Sequence, residues 1–277
     1  MAIDETNPAP EPRCLTRVAR YQRTIRASLA RIWENVLDWE HLPWLHRTSF
    51  RAIRLIDADG NGWRARVTLP AETPGEVGLD VRLDRTHLRY LSRTVDGRGA
   101  GTEILTRLEP IDDRTTNIAV EFHLPEVPAT RARSIGDAYV RLYTRLWDED
   151  EAMMVRRQAL LDGELRPHGK SILGPHALGD VAALRARLPL VVEVGGQRLR
   201  LVEVDGAIIA HSTICPHRGG PLDDAPIDDG CITCPWHGYR FDLRRDNGGR
   251  RDYRLDPIAS IEVDAKSSRA FLILRPQ

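Results

Sequence analysis

Residues 215–221 read Cys215-Pro216-His217-Arg218-Gly219-Gly220-Pro221, and residues 234–238 read Cys234-Pro235-Trp236-His237-Gly238. Two pairs, each a soft thiol and an imidazole, sit on two loops rich in Gly and Pro. A [2Fe–2S] cluster takes two thiolates on one iron and two imidazoles on the other, so each loop would give one ligand to each iron. Gly and Pro let backbone N–H groups come close to the sulfurs at low steric cost. The same four side chains could instead hold zinc. Cys231-Ile232-Thr233-Cys234 is also a C-x-x-C, which suits zinc or a redox dithiol. Cys14 has no evident partner.

Around these loops the chain is Gly-rich, with short alternating runs at Leu190–Val194, Leu199–Val204, Ala207–Ser212, Ile258–Val263 and Ala270–Leu274. That pattern predicts a small all-β module over 176–277. Glu164–Pro175 carries two Pro, two Gly and a Lys and reads as a linker. Before it, Ala129–Leu161 has helical periodicity and stops at Asp162-Gly163. Asn117–Phe122, Ile104–Leu108, His87–Ser92, Val77–Leu83 and Trp63–Leu69 alternate as strands, and Asp59-Gly60-Asn61-Gly62 signals a hairpin. Residues 15–27 read as a first strand. Ser28 is a candidate N-cap for a helix bearing Leu29, Ile32, Trp33, Val36 and Leu37, and Pro43 is expected to end that helix. The front part, 14–163, is therefore strand, helix, many strands and a long helix, giving an α+β chain.

Two places in that front part carry polar chemistry. Asp38, His41 and His46 lie within nine residues around Pro43. Five helical steps turn ~140°, so His41 and His46 can meet only if the chain breaks between them. In the long helix, the apolar stripe Tyr139, Leu142, Leu146, Met153 includes Asp150, while Asp148 points almost opposite. Asp148, Glu149 and Glu151 read as a solvated face. A buried lone carboxylate is costly unless paired or on a metal, so Asp150 needs a partner. Two His and one carboxylate compose the facial triad of non-haem Fe(II) sites.

The 277 residues include 42% hydrophobic and 29% charged side chains, which is enough for a real core and excludes disorder as the main state. Forty Lys+Arg balance forty Asp+Glu. That balance argues against a dedicated nucleic-acid or membrane-surface binder. No apolar run nears the ~18–20 residues of a membrane span. MAIDETNPAPEPR lacks a basic n-region and an apolar h-region, so a cytoplasmic chain with a loose lead-in is expected.

The Cys/His pattern, with Gly219, Gly220, Gly238 and Phe241-Asp242 around it, resembles the Rieske iron–sulfur domain. The front layout resembles the START-like helix-grip fold, a curved antiparallel sheet around a long C-terminal helix. Together they resemble the Rieske non-haem iron oxygenases. These carry D-x-x-H-x-x-x-x-H and a Glu-Asp pair on the last helix of the catalytic domain, often followed by Gln. Asp38, His41, His46, Glu149-Asp150 and Gln158 match. The resemblance implies a cluster on Cys215, His217, Cys234 and His237 and mononuclear Fe(II) on His41, His46 and Asp150. It also implies that Asp38 bridges His41 to a Rieske histidine, His237 of a neighbouring subunit in a ring trimer. The implied activity is O2-dependent hydroxylation, dihydroxylation or dealkylation of a small, mostly apolar substrate. No dinucleotide fingerprint is present, so electrons would come from a ferredoxin and/or an NAD(P)H-dependent flavin reductase. Respiratory Rieske proteins have a disulfide beside the cluster and hydroxyls on its sulfur. Here Gly219 or Gly220, Trp236 and Phe241 stand in those places, which implies a potential near the low end, ~−150 mV. The domain order is reversed from the familiar one. The alternative is a START-like ligand-binding protein with a Rieske electron-transfer module and no mononuclear iron. Leu69, Val81, Leu83, Tyr90, Ile104, Val120 and Phe122 are candidate pocket walls, and ordinary core packing is the simpler role for most of them.

Overall fold

A computed structural model describes residues 14–165, 174–244, 253–255 and 259–274. The lead-in 1–13, most of the expected linker (166–173, with His168) and Ile258 lie outside the described residues. The chain divides into two compact units, Met1–Glu151 and Ala152–Gln277.

The first unit begins with β1 (Leu15–Ile25). Ser28 caps α1 (Leu29–Leu37) by accepting the Arg31 N–H at 3.2 Å, which satisfies one of the helix's free donors. Asp38 ends α1 by leaving helical geometry (ψ 70°), and Trp39–His41 form a 3-10 turn. Pro43 does not end α1 as expected. It lies in the first turn of a second short helix, α2 (Leu42–Leu45), where its missing N–H costs nothing. His41 is thus in the 3-10 turn and not in the last turn of α1. Six strands follow: β2 (Ala52–Asp59), β3 (Gly62–Thr68), β4 (Glu76–Asp84), β5 (Arg89–Asp96), β6 (Glu103–Pro110) and β7 (Thr116–Pro125). They pair antiparallel with β1 in a seven-stranded sheet of order β1-β7-β6-β5-β4-β3-β2. Along β7 the buried set is Thr116, Ile118, Val120 and Phe122, and the residues between them are partly exposed, so one face of the sheet is the core face. The long helix α3 (Ala129–Leu161) meets that face, with the Tyr139 and Tyr143 rings 5.1 and 4.8 Å from Phe122. Trp63 donates its indole N–H to the Val36 carbonyl at 2.8 Å and so ties α1 to β3. This is a START-like helix-grip fold.

The second unit contains β8 (Pro175–Asp180), α4 (Val181–Arg185), β9 (Leu190–Val194), β10 (Gln197–Val204), β11 (Ala207–Ser212), β12 (Ile227–Asp228), β13 (Cys231–Thr233), β14 (Arg240–Asp242), β15 (Ala259–Asp264) and β16 (Arg269–Leu274). They form three small antiparallel sheets, β11-β10-β9, β12-β13-β14 and β15-β16-β8. Leu184, Leu199, Leu201, Ala210, Ala270 and Leu272 are among the residues of its core.

His211 on β11 is 3% exposed, and its Nδ1–H donates to the Ser212 carbonyl at 2.8 Å. Burial, with the nearby Arg200 charge, pushes its pKa down to about 4. The unfolded chain, with His at its ordinary 6.5, then binds a proton that the fold refuses. The stabilising difference is present above pH 6.5 and is lost as pH falls, by ~3 kcal/mol at pH 4. His211→Asn keeps an N–H donor for the Ser212 carbonyl without the titration. Urea unfolding of the variant at pH 7 and pH 4 is expected to lose less stability than the parent; equal losses would contradict the assignment.

Candidate metal centres

His41 closes the 3-10 turn, His46 follows the last residue of α2, and Asp150 projects from α3. The three bring one donor atom each to within 4.8 Å of one another. Asp150 Oδ1 lies 3.2 Å from His46 Nε2 and 3.5 Å from His41 Nε2. The imidazole centroids are 5.0 Å apart at 74°. Both His side chains are buried, at 6% and 4% exposure, and Asp150 nearly so. Burial alone would raise the Asp150 pKa, but His46, His41 and the Asn35 amide outweigh it and hold the carboxyl below its ordinary value. Burial would lower the His46 pKa, but Asp150 and Glu149 hold it above 6.5. The pocket is an anionic–imidazole cluster that attracts a cation. Two imidazole nitrogens and a carboxylate oxygen are the donor set that suits ferrous iron.

Two residues support the three donors: Asn35, which the sequence reading missed, and Glu149, which it took as the first of a Glu-Asp pair with no role at His46. Asn35, on the buried side of α1, donates Nδ2–H to Asp150 Oδ1 at 2.9 Å. Glu149 Oε2 sits 2.6 Å from His46 Nδ1. With the proton on Nδ1, that contact leaves Nε2 free to face His41 and Asp150, the arrangement a metal-binding His requires. The acidic run therefore does not sort as expected. Asp148 is exposed and pairs with Arg23, but Glu149 holds His46, and Glu151 is only 6% exposed. Glu151 pairs with Arg23 and accepts the Arg26 N–H and Nε–H at 3.0 and 2.9 Å, which compensates a buried charge. The Gln158 amide donates to Asp162, the residue that follows α3, at 3.0 Å. Asp38 is 7% exposed at the end of α1.

The three donors open onto a cavity of about 610 Å3 within the first unit. Its walls are chiefly apolar and aromatic, including Trp63, Tyr90, Ile104, Tyr139 and Tyr143. Of the expected walls, Leu69, Val81, Tyr90 and Ile104 line it. Val120 and Phe122 are fully buried in the core, and Leu83 lines a separate groove with Leu91 and Leu105.

In the second unit the two ligand loops share one backbone design. Cys215 N–H donates to the Gly220 carbonyl and Gly219 N–H to the Cys215 carbonyl, at 2.8 and 2.9 Å. Cys234 N–H donates to the Tyr239 carbonyl and Gly238 N–H to the Cys234 carbonyl, at the same two distances. Gly219 and Gly238 occupy the fifth position of each loop at φ +84° and +68°, where only Gly is unstrained. The shared C-P-x-x-G of both loops is the sequence signal for this. Each sulfur faces two backbone N–H groups, from His217 and Arg218 at Cys215 and from Trp236 and His237 at Cys234. Both thiols are 1% exposed. They share a proton, which with burial drives Cys215 up and, with the N–H groups, brings Cys234 down to about 7. The His217 and His237 rings are 4.6 Å apart. A Cβ on Gly220 would lie 2.6 Å from Cys234 Sγ, so only Gly lets the first loop cross the second sulfur. Two thiols in N–H cradles beside two imidazoles fit a [2Fe–2S] cluster. Phe241 is fully buried, while Tyr239 and Tyr253, missed in the sequence reading, face the His217 ring at 4.4 and 4.7 Å. Cys231 is partly buried and Cys14 exposed.

Residues 175–256 match the family model described as the Rieske [2Fe-2S] domain. Over 82 residues, 29% of this chain and 13% of the relative, the sequence is 30% identical to apoptosis-inducing factor 3 of Homo sapiens. Over 38 residues, 14% of this chain and 11% of the relative, it is 47% identical to the oxygenase component of dicamba O-demethylase from Stenotrophomonas maltophilia. The chain thus spans about an eighth or less of the length of these two curated relatives. Among solved structures, the Zhui aromatase/cyclase from a Streptomyces strain aligns with a TM-score of 0.45 and 12% identity, over 52% of this chain and 96% of that one. Among the described residues, no helix is long and apolar enough to cross a membrane.

Proposed function

We propose that the chain is a Rieske-type oxygenase, in which the first unit binds substrate and mononuclear Fe(II) and the second carries the electron-donating [2Fe–2S] cluster. One observation carries the reading: His41, His46 and Asp150 converge, buried, on an apolar cavity in a chain that also holds a Rieske domain. The similarity to the oxygenase component of dicamba O-demethylase supports it within the matched stretch only.

His41, His46 and Asp150 would hold the ferrous ion, and Cys215, His217, Cys234 and His237 the cluster. When bound, these groups supply O2 activation and single electrons. The polypeptide does the rest. Asp150 offers one carboxylate kept ionised by its neighbours, and Asn35 fixes it by a hydrogen bond to Oδ1. Glu149 sets the His46 tautomer. Trp63, Ile104 and the Tyr90, Tyr139 and Tyr143 rings exclude water and seat a small, mostly apolar substrate beside the triad. Burial holds the three tyrosines as neutral phenols by raising the pKa of Tyr90, Tyr139 and Tyr143. Electrons would arrive from a ferredoxin or an NAD(P)H-dependent flavin reductase, and a homotrimer with Asp38 near His237 of a neighbouring subunit belongs to the same reading. Asp38→Ala is then expected to leave both metals bound and stop turnover; loss of iron would make Asp38 structural.

Glu149→Gln keeps the size but offers His46 Nδ1 a weaker acceptor. Iron affinity is expected to fall ~10-fold, the lower end for a residue behind a ligand, measured by Fe(II) titration against a chelator. An unchanged affinity would remove Glu149 from the site. The function itself is tested by supplying 18O2, a ferredoxin–reductase pair and a panel of aromatic and alicyclic compounds. Label in a product supports oxygenation. Electron uptake with no labelled product from any compound contradicts it.

A further inference from the structure

Arg156 lies on the stretch of α3 that belongs to the second unit. Its Nε–H donates to the Gly219 carbonyl at 2.7 Å and its Nη2 donates to the Thr213 carbonyl at 3.3 Å. Those two carbonyls bracket the loop that carries Cys215 and His217. One turn further along α3, Leu160 seals the same spot: a Cβ on Gly219 would meet Leu160 Cδ2 at 2.6 Å. The guanidinium is thus partly withdrawn from water and fixed against the cluster loop. Burial lowers its pKa, while Asp223 and the Cys234 sulfur pull the other way, so both are close enough to feel its charge. Asp223 is itself held by Arg198 at 2.9 Å. A guanidinium stays protonated even so.

We infer that Arg156 is a positioning residue that raises the reduction potential of the cluster, by holding a fixed positive charge against the Cys215–Gly220 loop. The inference rests on the cluster reading, which the visible spectrum of the unaltered protein tests separately. With two thiolates and two neutral imidazoles, an oxidised [2Fe–2S]2+ unit is net neutral, and one electron from an external donor makes it an anion. A nearby, partly buried cation favours the anion. This opposes the low potential expected from the sparse hydroxyls around the sulfurs. Arg156 is invisible as a tuning residue in sequence because it lies 59 residues before Cys215, in a helix otherwise assigned to the other unit.

The test is a dithionite titration of the full-length, cluster-loaded protein with redox mediators, followed by visible circular dichroism and EPR. At a fixed ambient potential, Arg156→Gln is expected to lower the reduced-to-oxidised ratio on the order of tenfold, ~59 mV for one electron, with g-values that still report the two-His, two-Cys ligation. Arg156→Lys keeps the charge and is expected to stay within about threefold of the parent. No shift in Arg156→Gln, or an equal fall in both variants, overturns the inference. If Arg156→Gln fails to load a cluster, Arg156→Met decides: it keeps an unbranched stem without the charge and is expected to lower the ratio on the same scale; an unchanged or higher ratio overturns the inference.

Discussion

Asp150→Ala is expected to cut iron from about three to about two atoms per chain and to leave the visible spectrum of the cluster intact. The substitution removes the one carboxylate that lies 3.2 and 3.5 Å from the two imidazoles. What remains is two neutral nitrogens in an apolar wall, too weak a set to compete with water for a hard divalent ion. Substrate-dependent O2 uptake is expected to fall by at least ~100-fold, more than loss of a supporting residue causes. The fold has a smaller stake. Asn35 loses its acceptor, at ~1–3 kcal/mol, and His46 keeps Glu149. A variant that retains all its iron and its O2 uptake would contradict the triad.

Cys215→Ser is the mirror image. The backbone bonds of its loop, Cys215 N–H to Gly220 and Gly219 N–H to Cys215, do not involve the sulfur and should persist. The softer ligand is gone, however, and the remaining Cys234 cannot hold its iron alone. Cluster absorption is expected to vanish, iron to fall to about one atom per chain, and steady-state turnover to stop. The first unit should still bind its ferrous ion, because none of its donors lies in residues 152–277. Retention of colour and two-iron stoichiometry would contradict the ligand assignment.

These two variants separate parts of the chain that differed in how plainly the sequence announced them. The Rieske loops were legible because cluster binding needs particular residue types at fixed spacing, and because Gly219, Gly220 and Gly238 are demanded by backbone geometry. Asp150 was legible because it interrupts an apolar stripe at a position that helical geometry turns inward. Ser28 and the Gly60-Asn61 hairpin were legible for similarly local reasons. Glu151 was not: what allows its burial is a pair of arginines on and just after β1, more than a hundred residues away. Glu149 hid in the same way, since its partner His46 comes from another element. Pro43 was misjudged because a proline both ends helices and begins them, and local sequence does not say which. No strand was expected over β8, and its first residue, Pro175, reads as linker; the pairing that makes it a strand comes from β16.

Whether His41, His46 and Asp150 hold a ferrous ion is decided by iron content on anaerobically purified, Fe(II)-reconstituted protein, with nitric oxide EPR to count ferrous sites that have an open position. About three irons per chain are expected, one of them giving a nitrosyl signal that His46→Ala abolishes without disturbing the cluster. Two irons per chain and no nitrosyl signal would leave a cavity-bearing electron carrier in place of an oxygenase.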